Sequence, residues 1–311
     1  MSSDNLTVHL KLDNITINAD DDSAIVKDIN GNEIDVFVSG NPEVVDDELF
    51  GKCLSFDGSS YIDISGSAVS NHDEADFTVS VWAKLEDDQA TDSSPITFRA
   101  TPVNNETTTT TIAETEGYSF FVNDQNKWTI FLGDGTSDGA EIGEADIIDS
   151  WTNLTITHNI LGENGPELCF YINGQKQASR LEVFVPVSSA TTPLRIGAGG
   201  TEAATGEEVT YHFIGKIAHL RIYDTALSDT EVWEMLLSSM KIENAEDITN
   251  RINNLNPDDL ISLLTTMRQE KDLLEEIESL DDQQREEITS ALKEYRLDDN
   301  WKSMMEIFNI N

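Results

Sequence analysis

Three side chains with oxygen donors stand at alternate positions of a short polar segment and have the chemistry of calcium ligands. They are Asp28, Asn30 and Asn32. Calcium takes six to eight oxygen ligands, which carboxylates, amides and carbonyls supply. The segment lacks the glycine of a helix–loop–helix calcium site. The same side chains also suit a tight turn in which their oxygens accept backbone N–H groups, so both interpretations stay open.

A sugar site needs an aromatic ring that stacks on a pyranose face, next to polar side chains that bind the hydroxyl groups. Trp128 follows a polar segment that contains Asn123. We therefore expect its ring on a sheet face as the candidate platform; the alternative is an ordinary half-buried strand aromatic. Lesser candidates on the same argument are Tyr118, Arg99 and Asn173.

The elements that would position these side chains are β-strands. Residues 6–223 consist of short segments of alternating apolar and polar residues, separated by Gly, Asn, Asp, Ser and Thr. Asn30-Gly31 and Asn173-Gly174 are typical of tight hairpin turns. Many antiparallel strands without an intervening helix predict two packed sheets. One segment alternates three residues expected to face the core with two expected to be exposed: Leu168, Phe170 and Ile172, against Cys169 and Tyr171.

The periodicity changes from that of strands to that of helices at Ser228. Ser228 and Glu231 form a predicted capping box, followed by apolar residues at helical spacing. A further helix is predicted from Asn256, where a proline occupies the first turn. We therefore predict a β domain over residues 1–237, including this closing helix, and an α-helical region over residues 238–311.

The charge of the chain excludes several classes of partner. The 311 residues include 19 Lys and Arg and 59 Asp and Glu, a formal net charge of −40. Residues 238–311 hold 8 basic and 18 acidic residues, so residues 1–237 hold the other 11 and 41. Such a chain would be repelled by a phosphate backbone or an anionic membrane. No apolar stretch approaches the roughly 20 residues of a membrane-spanning helix. We expect no nucleic-acid binding and no membrane insertion.

The order of the strands resembles that of laminin-G-like domains, which belong to the concanavalin A-like lectin/glucanase superfamily. The resemblance extends over about residues 6–237. It implies an antiparallel jelly-roll β-sandwich whose relatives often bind glycans, usually with calcium. Six segments carry it, including DFTVSVWAKL, LCFYINGQ and FIGKIAHLRIYDTALSDTEV: residues 28–64, 76–85, 150–158, 168–175, 193–200 and 213–232.

The same superfamily contains glycosidases, so a catalytic carboxylate pair must be sought. Its retaining glucanases carry the pattern E-x-D-x-x-E, or one residue longer, on one strand. This places nucleophile and acid/base roughly 5–5.5 Å apart. Glu33 and Asp35 begin that pattern, but Val38 and Ser39 stand where the acid/base should be. We therefore expect no glycosidase activity.

The resemblance also bears on calcium. In glucanase-like relatives the last strand usually supplies an aspartate ligand just before a V-R-I-Y segment. Here that place is Ala218, followed by His219. Asp57 remains as an alternative oxygen ligand, together with Asp63 and Asp224. Calcium is the cofactor to be tested, and the sequence defines no complete site for it.

The sequence thus favours a non-catalytic binding module for a glycan or glycoprotein. The helical region is expected to dock on a protein partner or to self-associate; the alternative is that it forms a bundle of its own or packs on the sandwich. The alternative is a structural assembly protein whose sandwich binds protein and no sugar. The N-terminal sequence MSSDNLTVHL has neither a basic region nor an apolar stretch. We therefore expect no signal peptide, and either a cytoplasmic location or export by a non-classical route.

Overall fold

The fold is that of a computed structural model. It describes residues 6–17, 23–47, 49–66, 76–86, 92–100, 116–134, 140–146, 151–160, 165–181, 192–199 and 209–239. The helix predicted from Asn256, and all but the first two residues of the region predicted over 238–311, lie outside these residues. One compact unit is Ser2–Leu227, and a second begins at Ser228.

The described residues form seventeen β-strands and one longer helix. In chain order the strands are β1 Leu6–Leu10, β2 Thr16–Ile17, β3 Ser23–Lys27, β4 Glu33–Ser39, β5 Glu43–Asp47, β6 Gly51–Asp57, β7 Tyr61–Ile64, β8 Phe77–Leu85, β9 Ile96–Ala100, β10 Glu116–Val122, β11 Lys127–Asp134, β12 Ala140–Asp146, β13 Thr152–Asn159, β14 Glu167–Ile172, β15 Gln175–Arg180, β16 Leu194–Ile196 and β17 Ile214–Tyr223. The helix, α1, is Asp229–Ser239. No helix in the described part of the chain is long and apolar enough to cross a bilayer.

Within the described ranges the strands form two sheets, in which the paired strands run antiparallel. The eight-stranded sheet has the order β15-β14-β13-β8-β17-β6-β5, and β1 also pairs with β17. The nine-stranded sheet has the order β12-β11-β10-β9-β16-β7-β4-β3-β2. Neighbours such as β8 and β17, or β9 and β16, are far apart in sequence. The predicted antiparallel sandwich is confirmed.

The core lies between the two sheets, because one face of each strand is apolar. On β8 the inward positions are filled by Phe77, Val79, Val81 and Ala83, all buried. On β14, Leu168, Phe170 and Ile172 are buried in the same core, as the alternation predicts. Burying each such side chain stabilises the fold by about 1.5–3 kcal/mol. The strand assignments made from period-two alternation therefore hold.

The expectation that the other face of β14 is exposed is wrong. Cys169 and Tyr171 are 5% and 1% exposed. The ammonium group of Lys176 lies 5.5 Å from the centroid of the Tyr171 ring and accounts for part of its cover. The outward-facing residues Thr78 and Ser80 of the neighbouring β8 are also buried. Strands β8 and β14 are therefore buried on both faces, which alternation along one strand cannot show.

The predicted turns and the predicted capping box are present. Asn173 and Gly174 have φ angles of 50° and 79°, as a tight β14–β15 hairpin requires. At the start of α1, the backbone N–H and the hydroxyl of Ser228 donate to Glu231 Oε2 at 2.8 and 2.7 Å. The N–H of Glu231 donates to Ser228 Oγ at 3.4 Å. The helix therefore begins where the sequence predicts.

Replacing Ser228 by alanine should lower the free energy of unfolding by about 1 kcal/mol, because α1 then loses its N-terminal cap. Urea-induced unfolding followed by circular dichroism measures the change. Thr230→Ala, at an exposed position of the first turn, is the control and should change stability by less than about 0.5 kcal/mol. Equal stability of the two variants would contradict the capping role.

Candidate functional site

Trp128 belongs to the core and is not a surface platform. Its ring is 1% exposed and its centroid lies 6.4 Å from that of Phe213. On β11 it shares the inward face with Ile130 and Leu132. The polar residues before it form the β10–β11 turn, so its ring begins the buried face of the next strand. A sugar would find no exposed ring face at this position.

The other four predicted ligand residues do not converge on one place. Tyr118 is 3% exposed in the core, and burial raises the pKa of its phenol. Asn123 accepts the backbone N–H groups of Gln125 and Lys127 at 3.0 Å and caps a turn. Asn173 lies in the β14–β15 turn and accepts the backbone N–H of Asn153 in β13 at 2.8 Å.

Arg99 lies on the outer face of the nine-stranded sheet. It is 8% exposed, and its guanidinium carbon lies 4.2 Å from the centroid of the Phe131 ring. This distance is that of a cation–π contact. The five predicted ligand residues therefore divide among the core, two turns and one outer sheet face.

The Asp28 turn is organised by hydrogen bonds. Asp28 Oδ1 accepts the N–H groups of Asn30 and Asn32 at 2.8 and 2.7 Å, and Oδ2 accepts the Asn32 amide at 2.7 Å. Desolvation by burial raises the pKa of the Asp28 carboxyl group. The hydrogen bonds from Asn32 and Asn30 together outweigh it and hold this pKa below its usual value. This geometry is the turn-capping alternative raised by the sequence.

Asp57 has the same kind of surroundings at the end of β6. Its Oδ1 accepts the backbone N–H groups of Ser59 and Ser60 at 2.9 and 3.0 Å and the Ser60 hydroxyl at 2.9 Å. Desolvation is again outweighed by these hydrogen bonds, which lower the pKa of Asp57. The carboxylate therefore fixes the β6–β7 turn.

The calcium expectation at Asp28 and Asp57 stays a prediction. Calcium takes six to eight oxygen ligands, and in the described structure these two carboxylates accept N–H and O–H groups of their own turns. In the described ranges, no group of three or more His, Cys, Asp or Glu residues is placed to hold a metal. Ala218, where the resemblance implies an aspartate, is fully buried and offers no carboxylate.

The catalytic pattern that Glu33 and Asp35 begin is not completed on β4, because no carboxylate stands at the acid/base position. Both are exposed, and Glu33 pairs with Lys27 at 3.4 Å. Val38, at the place of the acid/base, is 3% exposed and faces the core. The strand therefore presents the first half of the glucanase pattern without its second half.

An alternative site lies on the outer face of the nine-stranded sheet, around Tyr61. On β7, Tyr61 and Asp63 alternate with the core residues Ile62 and Ile64. Asp63 is paired in register with Arg195 of β16. Arg195 Nε and Nη2 donate to the two Asp63 carboxylate oxygens at 2.7 and 2.8 Å. This bidentate geometry is the strongest form of an arginine–carboxylate contact.

The same guanidinium group fixes two further groups. Its central carbon lies 4.5 Å from the centroid of the Tyr61 ring, a cation–π distance. Arg195 Nη1 donates to the Gly199 carbonyl at 3.2 Å. Phe37, opposite Asp63 on β4, is 44% exposed, and its ring centroid lies 6.2 Å from that of Tyr61. Arg195 therefore fixes the ring of Tyr61, while the rings of Phe37 and Tyr61 remain partly exposed to solvent.

Tyr211 and His212 complete this face from the segment before β17. Tyr211 has a φ angle of 58° and is 36% exposed. Its carbonyl accepts the N–H groups of Ser94 at 3.0 Å and Gly199 at 3.2 Å. His212 Nε2 donates to the Val209 carbonyl at 3.2 Å, and its ring centroid lies 6.2 Å from that of Tyr61.

The positive φ of Tyr211 is a strained conformation for a bulky residue and costs about 1–3 kcal/mol. Residues strained in this way cluster at ligand contacts. We call this face the Tyr61 patch: Phe37, Tyr61, Asp63, Arg195, Tyr211 and His212.

Sequence reasoning missed the Tyr61 patch. Tyr61 and Asp63 lie in an alternating segment, which predicts that they share a face. Arg195 reaches them because β16 inserts between β7 and β9. No local pattern predicts that insertion or the positive φ of Tyr211.

Two antiparallel sheets packed on a common core define a jelly-roll sandwich of the lectin type. The chain belongs to the concanavalin A-like lectin/glucanases superfamily, whose Laminin_G_3 model matches residues 56–233. The resemblance stated from the sequence is thereby confirmed. No curated protein sequence matches the chain.

Solved structures with this fold include domain 4 of AbnA, a GH43 extracellular arabinanase from Geobacillus stearothermophilus, in complex with arabinotriose. It is 21% identical with a TM-score of 0.51, and the match covers 75% of this chain and 98% of that one. The binding domain of Paraclostridial Mosquitocidal Protein 1 is 18% identical with a TM-score of 0.51, over 76% and 52% of the two chains.

The binding domain of botulinum neurotoxin DC, in complex with SialylT, is 14% identical with a TM-score of 0.50, over 78% and 53%. The chain spans about half the length of these two toxin domains. At these identities the likeness shows the fold alone.

Proposed function

We propose that the chain is a non-catalytic carbohydrate-binding module whose sugar site is the Tyr61 patch. The observation that carries the proposal is the set of partly exposed rings around a buried arginine–carboxylate pair. Phe37 and Tyr211 are 44% and 36% exposed, and Tyr61, whose ring lies 6.2 Å from that of Phe37, is partly exposed. Rings held in this way offer the flat apolar surface that the C–H face of a pyranose requires.

Polar groups next to the rings supply the second requirement of a sugar site. The Tyr61 and Tyr211 phenols can donate and accept, and the Asp63 side chain is 15% exposed. Because Arg195 holds both Asp63 and Tyr61, these groups are ordered before a ligand arrives. An ordered site loses less conformational entropy on binding.

The fold relatives support the same class of ligand. One is a domain solved with arabinotriose and another a binding domain solved with SialylT. The superfamily name itself joins lectins with glucanases. Because β4 lacks the second carboxylate of the glucanase pattern, we assign binding and not hydrolysis.

A glycan array, run with calcium and with a chelator, tests the proposal, and arabinotriose is included as a soluble probe in titration calorimetry. Binding to at least one glycan is expected, and comparison of the two conditions tests whether calcium is needed. Absence of binding to every glycan would overturn the proposal and favour the alternative of a protein-binding assembly module.

Tyr61→Ala should weaken binding to the best glycan about tenfold or more, because it removes a stacking ring at the centre of the patch. Tyr61→Phe keeps the ring and should stay within about threefold of the unmodified protein. Leu181→Ala is the control, since Leu181 is 60% exposed and lies after β15, outside the patch. Calorimetry at one temperature gives all three constants. If Tyr61→Ala binds as tightly as Leu181→Ala, the site lies elsewhere.

The helical region predicted over 238–311 is proposed for docking or self-association. Its described part is the C-terminal end of α1, so this assignment stays a prediction. Light scattering of the full chain beside residues 1–239 measures it directly.

A further inference from the structure

A buried cluster of nitrogen-bearing side chains joins the first strand of the sandwich to the last. His9 of β1 and Arg221 of β17 are paired in register. His219 lies two residues before Arg221, at an irregularity of the β17–β8 pairing, and has a φ angle of 48°. His9, His219 and Arg221 are 4%, 8% and 4% exposed. None of them belongs to the Tyr61 patch.

The hydrogen bonds of this cluster fix where its protons lie. Arg221 Nε can act only as a donor, and it lies 3.2 Å from His9 Nε2. His9 Nε2 must therefore be an unprotonated acceptor. His219 Nδ1 lies 3.0 Å from the same atom, so His219 must carry a proton on Nδ1 and donate it. One lone pair of His9 thus accepts from two donors.

Protonation of His9 removes that lone pair. The new N–H at Nε2 would point at the Arg221 N–H, so the hydrogen bond from Arg221 would be lost. The contact with His219 would survive only if His219 moved its own proton from Nδ1 to Nε2. The imidazolium would also lie next to the guanidinium of Arg221, a buried like-charge contact without compensation. Protonation of His219 adds a charge beside the same guanidinium.

The charged groups around the two histidine rings also oppose their protonation. Lys11, directly after β1, and Arg221 both act on the two rings, and each histidine ring lies next to the other. Tyr223, on the same strand as Arg221, is a buried neutral phenol. Asp47, at the end of β5, accepts the Trp151 indole N–H at 3.1 and 3.2 Å. Trp151 contacts Phe50, whose ring lies 5.1 Å from His219.

We propose that His9, His219 and Arg221 form an acid-sensitive clasp that holds β1 on β17 and releases it when a histidine is protonated. Burial first, and then the charge of Arg221, lower the pKa of His9 to about 3 and that of His219 to about 2. When β1 is released, the pKa of His9 returns toward 6.5 and that of His219, which stays on β17, rises as its ring loses the cover of β1. The clasp is therefore fully closed above pH 6.5 and weakens as the pH falls from 6.5 toward 3.

The strand that would be released is defined by its remaining contacts. β1 pairs with β17 from Leu6 to Leu10. The backbone N–H of His219 donates to the Lys11 carbonyl at 3.0 Å, and the His9 carbonyl accepts the N–H of Ile29 at 3.0 Å. Breaking the clasp therefore affects the β1–β17 pair and the turn at Ile29, not the centre of the eight-stranded sheet.

Hydrogen exchange of the full chain at pH 6.5 and pH 5.0, corrected for intrinsic exchange rates, tests the clasp. Between these values each histidine that becomes protonated on release raises the opening equilibrium about sixteenfold, because half of the released rings are already protonated at pH 6.5. We expect the protection of residues 6–11 to fall at least about sixteenfold while that of β13 stays within threefold. A change below threefold in residues 6–11, or an equal loss in β13, would overturn the proposal.

The double variant His9→Gln, His219→Asn is the matched control. The glutamine carbonyl can still accept from Arg221, and asparagine tolerates the positive φ at position 219. Protection of residues 6–11 should then be the same at both pH values; a persistent loss of about sixteenfold would contradict the clasp.

A second test uses the unmodified protein, so its result does not depend on whether a variant folds. In NMR spectra the ring signals of His9 and His219 should not titrate above pH 5. Either ring titrating near pH 6.5 with β1 still protected would also sink the proposal.

Discussion

Replacing Gly215 by alanine will lower the free energy of unfolding by roughly 3–5 kcal/mol. Gly215 lies in β17, between β8 and β6, and has a φ angle of +149°. A Cβ atom there would lie 2.2 Å from the backbone oxygen of Lys84 and 3.2 Å from the Cα atom of Leu85. Both are backbone atoms of the paired strand β8, so no side-chain rotation can relieve the contact. The strands would have to separate at the centre of the sheet.

Gly51→Ala is the control that separates this steric effect from backbone strain. Gly51 also has a positive φ, +75°, but a Cβ atom there would have no neighbour within 4 Å. It should cost about 1 kcal/mol, the conformational penalty alone. Urea-induced unfolding followed by tryptophan fluorescence compares the two variants. If Gly215→Ala loses no more stability than Gly51→Ala, the close approach of β8 and β17 is not a constraint on the fold.

The architecture could be predicted from sequence because it depends on local patterns. Alternation placed Leu168, Phe170 and Ile172 in the core, and Ser228 with Glu231 marked the start of α1. Each signal involves residues within a few positions of one another, which share one backbone conformation. The order of the segments then carried the family resemblance that the Laminin_G_3 match confirms.

The site was harder to predict because its residues meet across the sheet. Asp63 and Arg195 are 132 positions apart, and their contact depends on β16 lying next to β7. Trp128 illustrates the opposite error. Its polar neighbours in sequence suggested a surface ring, but they belong to a turn, and the ring begins the buried face of β11. A residue's solvent exposure follows from its sheet face, not from the polarity of adjacent residues.

The acidic composition limits how the Tyr61 patch can attract a ligand. With a net charge of −40, long-range electrostatics favours neutral or cationic ligands over anionic ones. The described patch nevertheless contains one arginine, and Asp63 neutralises it through two hydrogen bonds. We therefore expect affinity to come from stacking and hydrogen bonds. Binding of a neutral sugar such as arabinotriose should change little with salt concentration.

Removing either partner of the Arg195–Asp63 pair should cost about 3 kcal/mol of stability, because it leaves the other charge buried without its partner. The two side chains are 9% and 15% exposed. Arg195→Met and Asp63→Asn are the single changes, and urea unfolding of both and of the double variant closes a double-mutant cycle. The double variant should lose about 2 kcal/mol less than the sum of the singles, which is the coupling energy of the pair.

The exposed pair Lys27–Glu33 provides the matched cycle. Its atoms lie 3.4 Å apart, but its side chains are 53% and 59% exposed, so its coupling energy should stay below about 0.5 kcal/mol. In 1 M salt that coupling should vanish while that of Arg195–Asp63 persists, because a buried pair is screened much less. Equal coupling energies in the two cycles would show that the guanidinium group does not anchor the patch. A larger coupling for Arg195–Asp63, with weaker glycan binding by Arg195→Met, would tie the order of the Tyr61 ring to this ion pair.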